Sequence, residues 1–113
     1  MQENNTELTV STEVLEKMAE IAACEIDGVA GLSKKTVDLK NALKNMNAFK
    51  GVTVENHNGT VSADIYIILK KSAKMRETAE AVQSNVKEKI QNMTGTAVTN
   101  VNVTVADIDN SED

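Results

Sequence analysis

Hydrophobic and polar positions alternate along this chain with two different periods. Val61, Ala63, Ile65, Ile67 and Leu69 fall on one side of an extended segment, and Ser62, Asp64, Tyr66 and Ile68 fall on the other. A period of two predicts a strand with one dry and one wet face. Just upstream, Val52 and Val54 alternate with Thr53 and Glu55. The intervening Asn56-His57-Asn58-Gly59 is a hairpin signal, because Asn-Gly accepts the positive φ of a type I′ turn. Downstream the period changes. Met75, Ala79, Val82, Val86, Ile90 and Met93 are spaced 4, 3, 4, 4 and 3, which predicts a helix, with Ser72 as its cap and Gly95 as its stop. Val101, Val103 and Val105 then alternate with Asn100, Asn102 and Thr104, the pattern of a final strand.

The first half of the chain gives a weaker signal. Residues 7–10 read as a short strand, followed by Ser11 as a helix cap. Val14, Leu15, Met18, Ile21 and Ala22 then mark one helical stripe, and Gly28 is expected to end it in the left-handed conformation. Residues 28–33 read as a short extended segment. Val37, Leu39, Leu43, Met46 and Phe49 predict a helix over residues 36–49, with Lys40 and Lys44 outside its apolar face. The strand–helix–strand passage over residues 60–106 is a βαβ crossover, right-handed by chirality preference, whose strands run parallel. The expected fold is α+β: a two-layer sandwich with a small mixed sheet, a β-hairpin and a βαβ crossover, its helices packed on one face. Residues 6–108 form the expected single domain, with disordered polar ends over residues 1–5 and 109–113.

Composition narrows the class. At 113 residues, 41% hydrophobic and 26% charged, the chain suits one globular domain with one core. Its longest apolar run, residues 65–69, falls far short of the ~20 residues of a membrane span. The opening Met1-Gln2-Glu3-Asn4-Asn5 has neither a basic flank nor an apolar stretch, so no signal peptide is expected. With a single cysteine this favours a cytoplasmic location. A net charge of −5, with Phe49 and Tyr66 as the aromatic residues, argues against nucleic acid as a partner.

Catalytic chemistry is poorly supplied. His57 is the single histidine and falls in the hairpin turn, with no nucleophile placed beside it by sequence. Cys24, near the end of the first helix, reads as a packing residue before a redox thiol. Gly28 and Gly31 follow a helix rather than a strand and precede no Gly-Lys-Ser/Thr, so turn and packing duty is expected of them, not phosphate binding. No cofactor, metal site or catalytic residue is expected. Two surface features stand out instead. Lys70, Lys71, Lys74 and Arg76 crowd the start of the long helix, where the macrodipole disfavours positive charge and backbone N–H groups are free, a candidate dock for an acidic partner or an anion. The polar sheet face, with Tyr66, Ile68, Asn100 and Asn102, or an unpaired strand at its edge, is a candidate for self-association.

These segments are also familiar. Ile21-Ala22-Ala23-Cys24-Glu25-Ile26-Asp27-Gly28-Val29-Ala30-Gly31-Leu32 resembles the first motif of the alkaline shock protein family of Gram-positive bacteria, also called the envelope stress response or general stress protein family. Gly51-Val52-Thr53-Val54-Glu55 with Asp64-Ile65-Tyr66-Ile67-Ile68 is similar to its central hairpin. Val82-Gln83-Ser84-Asn85-Val86-Lys87, Asn92-Met93-Thr94-Gly95 and Val98-Thr99-Asn100-Val101-Asn102-Val103 are similar to its closing helix and strand. Lys70-Lys71-Ser72 stand where many relatives carry an aromatic-glycine pair. The resemblance implies a non-enzymatic cytoplasmic protein of cell-envelope homeostasis. Some members self-assemble and are held at the membrane by a separate anchoring protein; others are associated with fatty-acid or phospholipid supply. The leading expectation is therefore an adaptor or scaffold that works through protein–protein contacts, including contacts with itself. The alternative is a module that binds small anions or lipid headgroups.

Overall fold

The computed structural model describes residues 10–33 and 51–111. The helix expected over residues 36–49, the first three residues of the strand expected over residues 7–10 and the polar end over residues 1–5 lie outside the described residues, and Val10, which is described, is not in a strand. The element order is α1 (Thr12–Cys24), β1 (Val29–Leu32), β2 (Val52–His57), β3 (Thr60–Lys70), α2 (Met75–Thr94) and β4 (Ala97–Asp109). β3 is the axis of the sheet. β2 pairs antiparallel with its first half, Val52 opposite Ile65 and His57 opposite Thr60. β1 pairs antiparallel with its end, Val29 opposite Leu69 and Leu32 opposite Ile67. β4 runs parallel along the other edge, from Ala97 beside Thr60 to Asp109 beside Lys70. The sheet is mixed, as the crossover required, and both helices cover one face of it in a two-layer α+β sandwich.

Between β1 and β2 the chain leaves and rejoins the same point of β3. Tyr66 accepts at its carbonyl from the Ser33 N–H and donates its own N–H to the Gly51 carbonyl, both at 2.8 Å. Gly51 has φ +82°, and a Cβ there would lie 2.8 Å from the Ser33 carbonyl oxygen, so this junction requires glycine. At the hairpin, Asn58 (φ 55°) and Gly59 (φ 88°) both adopt the positive φ expected of a type I′ turn. The Asn56 side chain accepts from the Gly59 N–H at 3.2 Å.

The dry face of β3 is buried as its alternation predicted: Val61, Ala63, Ile65, Ile67 and Leu69 are all at most 2% exposed. The helices differ from expectation in their stripes. In α1 the buried residues are Leu15, Ala19, Ala22 and Ala23, while Val14 and Ile21 are 46% and 48% exposed. Leu15 and the three alanines form the inward side of the helix, and Val14 and Ile21 turn outward. In α2 the middle of the stripe, Val82, Val86 and Ile90, is fully buried together with Thr78. Met75 and Met93, in the first and last turns, reach past the covered part of the sheet and are 54% and 64% exposed. Each buried Val or Ile contributes on the order of 1.5–3 kcal/mol of transfer free energy before chain entropy is counted.

Three boundary expectations are corrected. Ser11 does cap α1, accepting from the Val14 N–H at 3.2 Å. Ser72 does not cap α2: the Ala73 N–H bonds the Lys70 carbonyl at 3.0 Å, closing a turn that contains Ser72, and Lys74 becomes an N-cap with no side-chain bond. Gly28 is not left-handed, because α1 ends at Glu25 in a right-handed cap. Its reason is space: a Cβ on Gly28 would lie 2.7 Å from Thr78 Oγ1 and 2.8 Å from the Ala73 Cβ. Finally β4 continues to Asp109, past the expected end of the domain, with Gly95 (φ 74°) ending α2 before it as predicted.

The helices are joined to each other by a polar clamp. Asn85 Nδ2, half-buried on α2, donates to the Ala22 carbonyl at 2.8 Å and to Glu25 Oε1 at 2.9 Å. Lys89 Nζ reaches Glu25 Oε2 at 3.0 Å. These bonds satisfy a carbonyl that the end of α1 leaves without an intrahelical partner. Hydrogen bonds from Asn85 and then Lys89 hold the Glu25 carboxyl below the usual carboxylate range.

Two outcomes follow from this packing. Gly28→Ala should lower unfolding stability by about 1–3 kcal/mol through overpacking against Thr78 and Ala73, read from urea unfolding, whereas Gly31→Ala, with open space around it, should cost far less. Because Glu25 is more acidic folded than unfolded, its stabilising effect is present above the ordinary glutamate pKa and is lost as pH falls through the folded value. Thermal unfolding across pH 3–6 should therefore show a smaller loss of stability on acidification in Glu25→Gln than in the parent chain.

Candidate interaction surfaces

The turn that displaces Ser72 also arranges the basic cluster. Lys70 ends β3, Lys71 lies in the turn, Lys74 is the N-cap of α2 and Arg76 is in its first turn; all four are exposed. The Gly28 carbonyl accepts from the Lys70 N–H at 2.8 Å, so the close seat of Gly28 anchors the base of this turn. Among the described residues none of the four cations takes part in an ion pair. The start of α2 is thus ringed by positive charge and lacks a side-chain cap, which leaves its first N–H groups available. It is not purely basic: Glu77 is in the same first turn, and β4 brings Asp109 beside Lys70 and Asp107 beside Ile68. Hydrogen bonds from the Ser111 hydroxyl and backbone N–H lower the Asp109 pKa and keep that carboxylate charged.

The wet face is brought together as the alternation required. Tyr66 and Ile68 of β3 share it with Asn100 and Asn102 of β4, in rows that pair Tyr66 with Thr104 and Asp64 with Asn102. Asn102 Nδ2 donates to Asp64 Oδ1 at 3.0 Å. Ser62, Asp64, Tyr66 and Ile68 are all half-buried, whereas Asn100, Asn102 and Thr104 are exposed. No described helix lies over this face.

Sequence reasoning did not locate a third surface. α2 does not fully cover β4, and an open groove of about 630 Å³ runs between them, lined by Met75, Arg76, Ala79, Glu80, Gln83, Val103 and Val105. Its signal was present in the stripe itself: Met75 extends the apolar face of α2 beyond the sheet-facing middle.

Residues weighed for chemistry lie elsewhere and apart. His57 Nε2 meets Glu55 Oε1 at 3.0 Å at the exposed outer end of the hairpin. Burial, and then the nearby Glu20 charge, push the Cys24 thiol above its ordinary pKa, which disfavours the reactive thiolate. Among the described residues no three His, Cys, Asp or Glu side chains converge as a metal site, and no helix is long and apolar enough to cross a membrane.

Comparison with known proteins agrees with the fold and places the chain. The C-terminal domain of MamM in its copper form superposes with a TM-score of 0.61 over 89% of this chain and 90% of that one, at 17% identity, a likeness of fold alone. The uncharacterized protein YloU of Bacillus subtilis (strain 168) is 31% identical over 102 residues, covering 88% of this chain and 85% of that protein. YqhY of the same organism, also uncharacterized, is 28% identical over 100 residues, covering 88% and 74%. A stress response regulator gls24 homolog of Streptococcus pyogenes serotype M3 (strain ATCC BAA-595 / MGAS315) is 31% identical over 108 residues, covering 94% of this chain and 60% of that protein. The model of the alkaline shock protein family, described as having a cell envelope-related function, matches residues 1–110. With that match running through both helices and all four strands described above, the chain belongs to the alkaline shock protein family.

Proposed function

We propose that the protein is a non-catalytic adaptor or scaffold of the cell envelope that acts at the inner face of the membrane through protein–protein contacts, including contacts with copies of itself. The observation that carries this reading is the one-sided covering of the sheet. Among the described residues both helices lie on one face, no helix covers the other, where Ile68 is half-buried, and β4 pairs with β3 alone. Open strands and half-covered apolar groups are the usual materials of a protein-binding surface. His57, whose partner is Glu55 on the exposed hairpin, lies apart from Cys24 at the end of α1, which supports a role in contact rather than bond chemistry. Membership of a family with cell envelope-related function supports the place of action.

A second reading rests on the basic turn. Lys70, Lys71, Lys74 and Arg76 surround an uncapped helix start, an arrangement suited to lipid phosphate groups at a membrane surface.

Light scattering after size exclusion should find the chain associating as its concentration is raised, or retained by an envelope protein on an affinity column. A strict monomer up to millimolar concentration that retains no partner overturns the adaptor reading. For the second reading, flotation with vesicles containing anionic lipid should exceed flotation with neutral vesicles at low salt and decline as salt approaches roughly 0.5 M, where the Debye length falls to a few ångströms. Equal flotation with both vesicle types rejects it.

A further inference from the structure

We infer that two copies of this chain join edge to edge through β4, antiparallel, with the N-terminal halves of their α2 helices closing over the seam; this rests on the adaptor reading and names the surface that performs it. The first observation is the edge itself. β4 is thirteen residues long and pairs, among the described residues, with β3 alone. Proteins guard such edges with Lys, Pro or bulges. From Ala97 to Asp109 there is no Lys, Arg or Pro. Register shifts occur against Val61/Ser62 and Ile67/Ile68, which leaves residues 100–105 as a regular stretch between them.

The second observation is how the edge is served at its start and left open further on. Gln91 Oε1 of α2 accepts from the Val98 N–H at 3.1 Å, and Gln83 Nε2 donates to the Val101 carbonyl at 3.0 Å. These backbone groups therefore turn away from β3 toward α2's side of the edge. By the alternation of a strand, the backbone groups of Val103 and Val105 turn the same way. Among the described residues no side chain serves them.

The third observation is what lies beneath. At this level the groove floor is Val103 and Val105 and its wall is Met75, Ala79 and Gln83. Ile108, in register beside Leu69, adds an exposed apolar group to the same end. A bare strand would complete the hydrogen bonding, but only a strand that arrives with its own helix would also cover this apolar floor.

Charge selects a second copy in the antiparallel sense. In parallel pairing, Asp107 and Asp109 would meet their own counterparts. In antiparallel pairing they lie toward the uncharged start of the other β4, while Val101, Val103 and Val105 of one copy face the same three residues of the other. Gln83 stands at the level of Val101, and Met75 shares the groove with Val105. Four helix residues rise about 6 Å, close to two strand residues, so Ala79 lies near the level of Val103 and of the two-fold axis. Arg76 and Glu80 fall on opposite sides of that point. An antiparallel helix pair therefore sets Arg76 of each copy against Glu80 of the other, around a small residue that permits close approach.

Sedimentation velocity on the full chain tests this. The parent chain should form a dimer whose dissociation constant rises at least tenfold in Val103→Lys and in Thr104→Lys. Thr104 is exposed on the opposite face, so its substitution keeps the test valid if Val103→Lys folds poorly by circular dichroism. Arg76→Glu and Glu80→Arg should each weaken association several-fold, and the double variant should restore it. Association unchanged by Thr104→Lys, or a double variant no better than the singles, overturns the β4 seam while leaving the adaptor reading in place. A monomeric parent chain that still retains an envelope partner also overturns the seam alone. A monomer that retains nothing overturns both.

Discussion

Every layer of this molecule leans on the stacked side chains of Val61, Ala63, Ile65, Ile67 and Leu69 on one face of β3. Among the described residues that strand is the one the other three share. Its apolar face is the floor on which both helices rest, and a slip of one residue in its pairing would turn all five side chains to solvent and bring Asp64 and Tyr66 inside. The register is accordingly held from several points: the Asn58-Gly59 turn on one hairpin arm, the Ser33 and Gly51 bonds to Tyr66, and the parallel ladder to β4.

The same arrangement dictates where the molecule can act. One edge of β3 is shared end to end by two short strands, and the other is taken by a single long one. Among the described residues the outer side of that long strand is then the longest unpaired edge, and α2 leaves the groove beside Val103 and Val105 uncovered. The polar clamp of Asn85, Lys89 and Glu25 settles α2 against α1, while Gln83 and Gln91 tie it to the first part of β4 and leave the stretch around Val103 and Val105 uncovered. Covering the core and leaving the groove open are two results of one helix position.

The familiar segments of the sequence acquire reasons in this light. Glu25 from the first motif and Asn85 from the closing helix are sixty residues apart and in contact. Gly28 from the first motif packs on Thr78 and holds the turn that presents Lys70 and Lys71. Part of what looks like a signature is therefore interlocking packing.

Periodicity alone was enough for β2, β3, β4, the hairpin, the crossover and the buried centre of α2, because strand alternation and the 3.6-residue repeat are local properties that burial on one side imposes directly. The basic cluster and the membership of the wet face were legible for the same reason. What only the tertiary structure decided were matters of distance between elements: that α1 packs by its alanines and not by Val14 and Ile21, that Gly28 is small for want of space and not for a left-handed turn, and that Ser72 is spent in a turn before α2 begins. The groove belongs to this second group. A stripe of apolar residues records that a helix has a dry side, but how far the neighbouring strand extends beneath it depends on where a second helix has already settled.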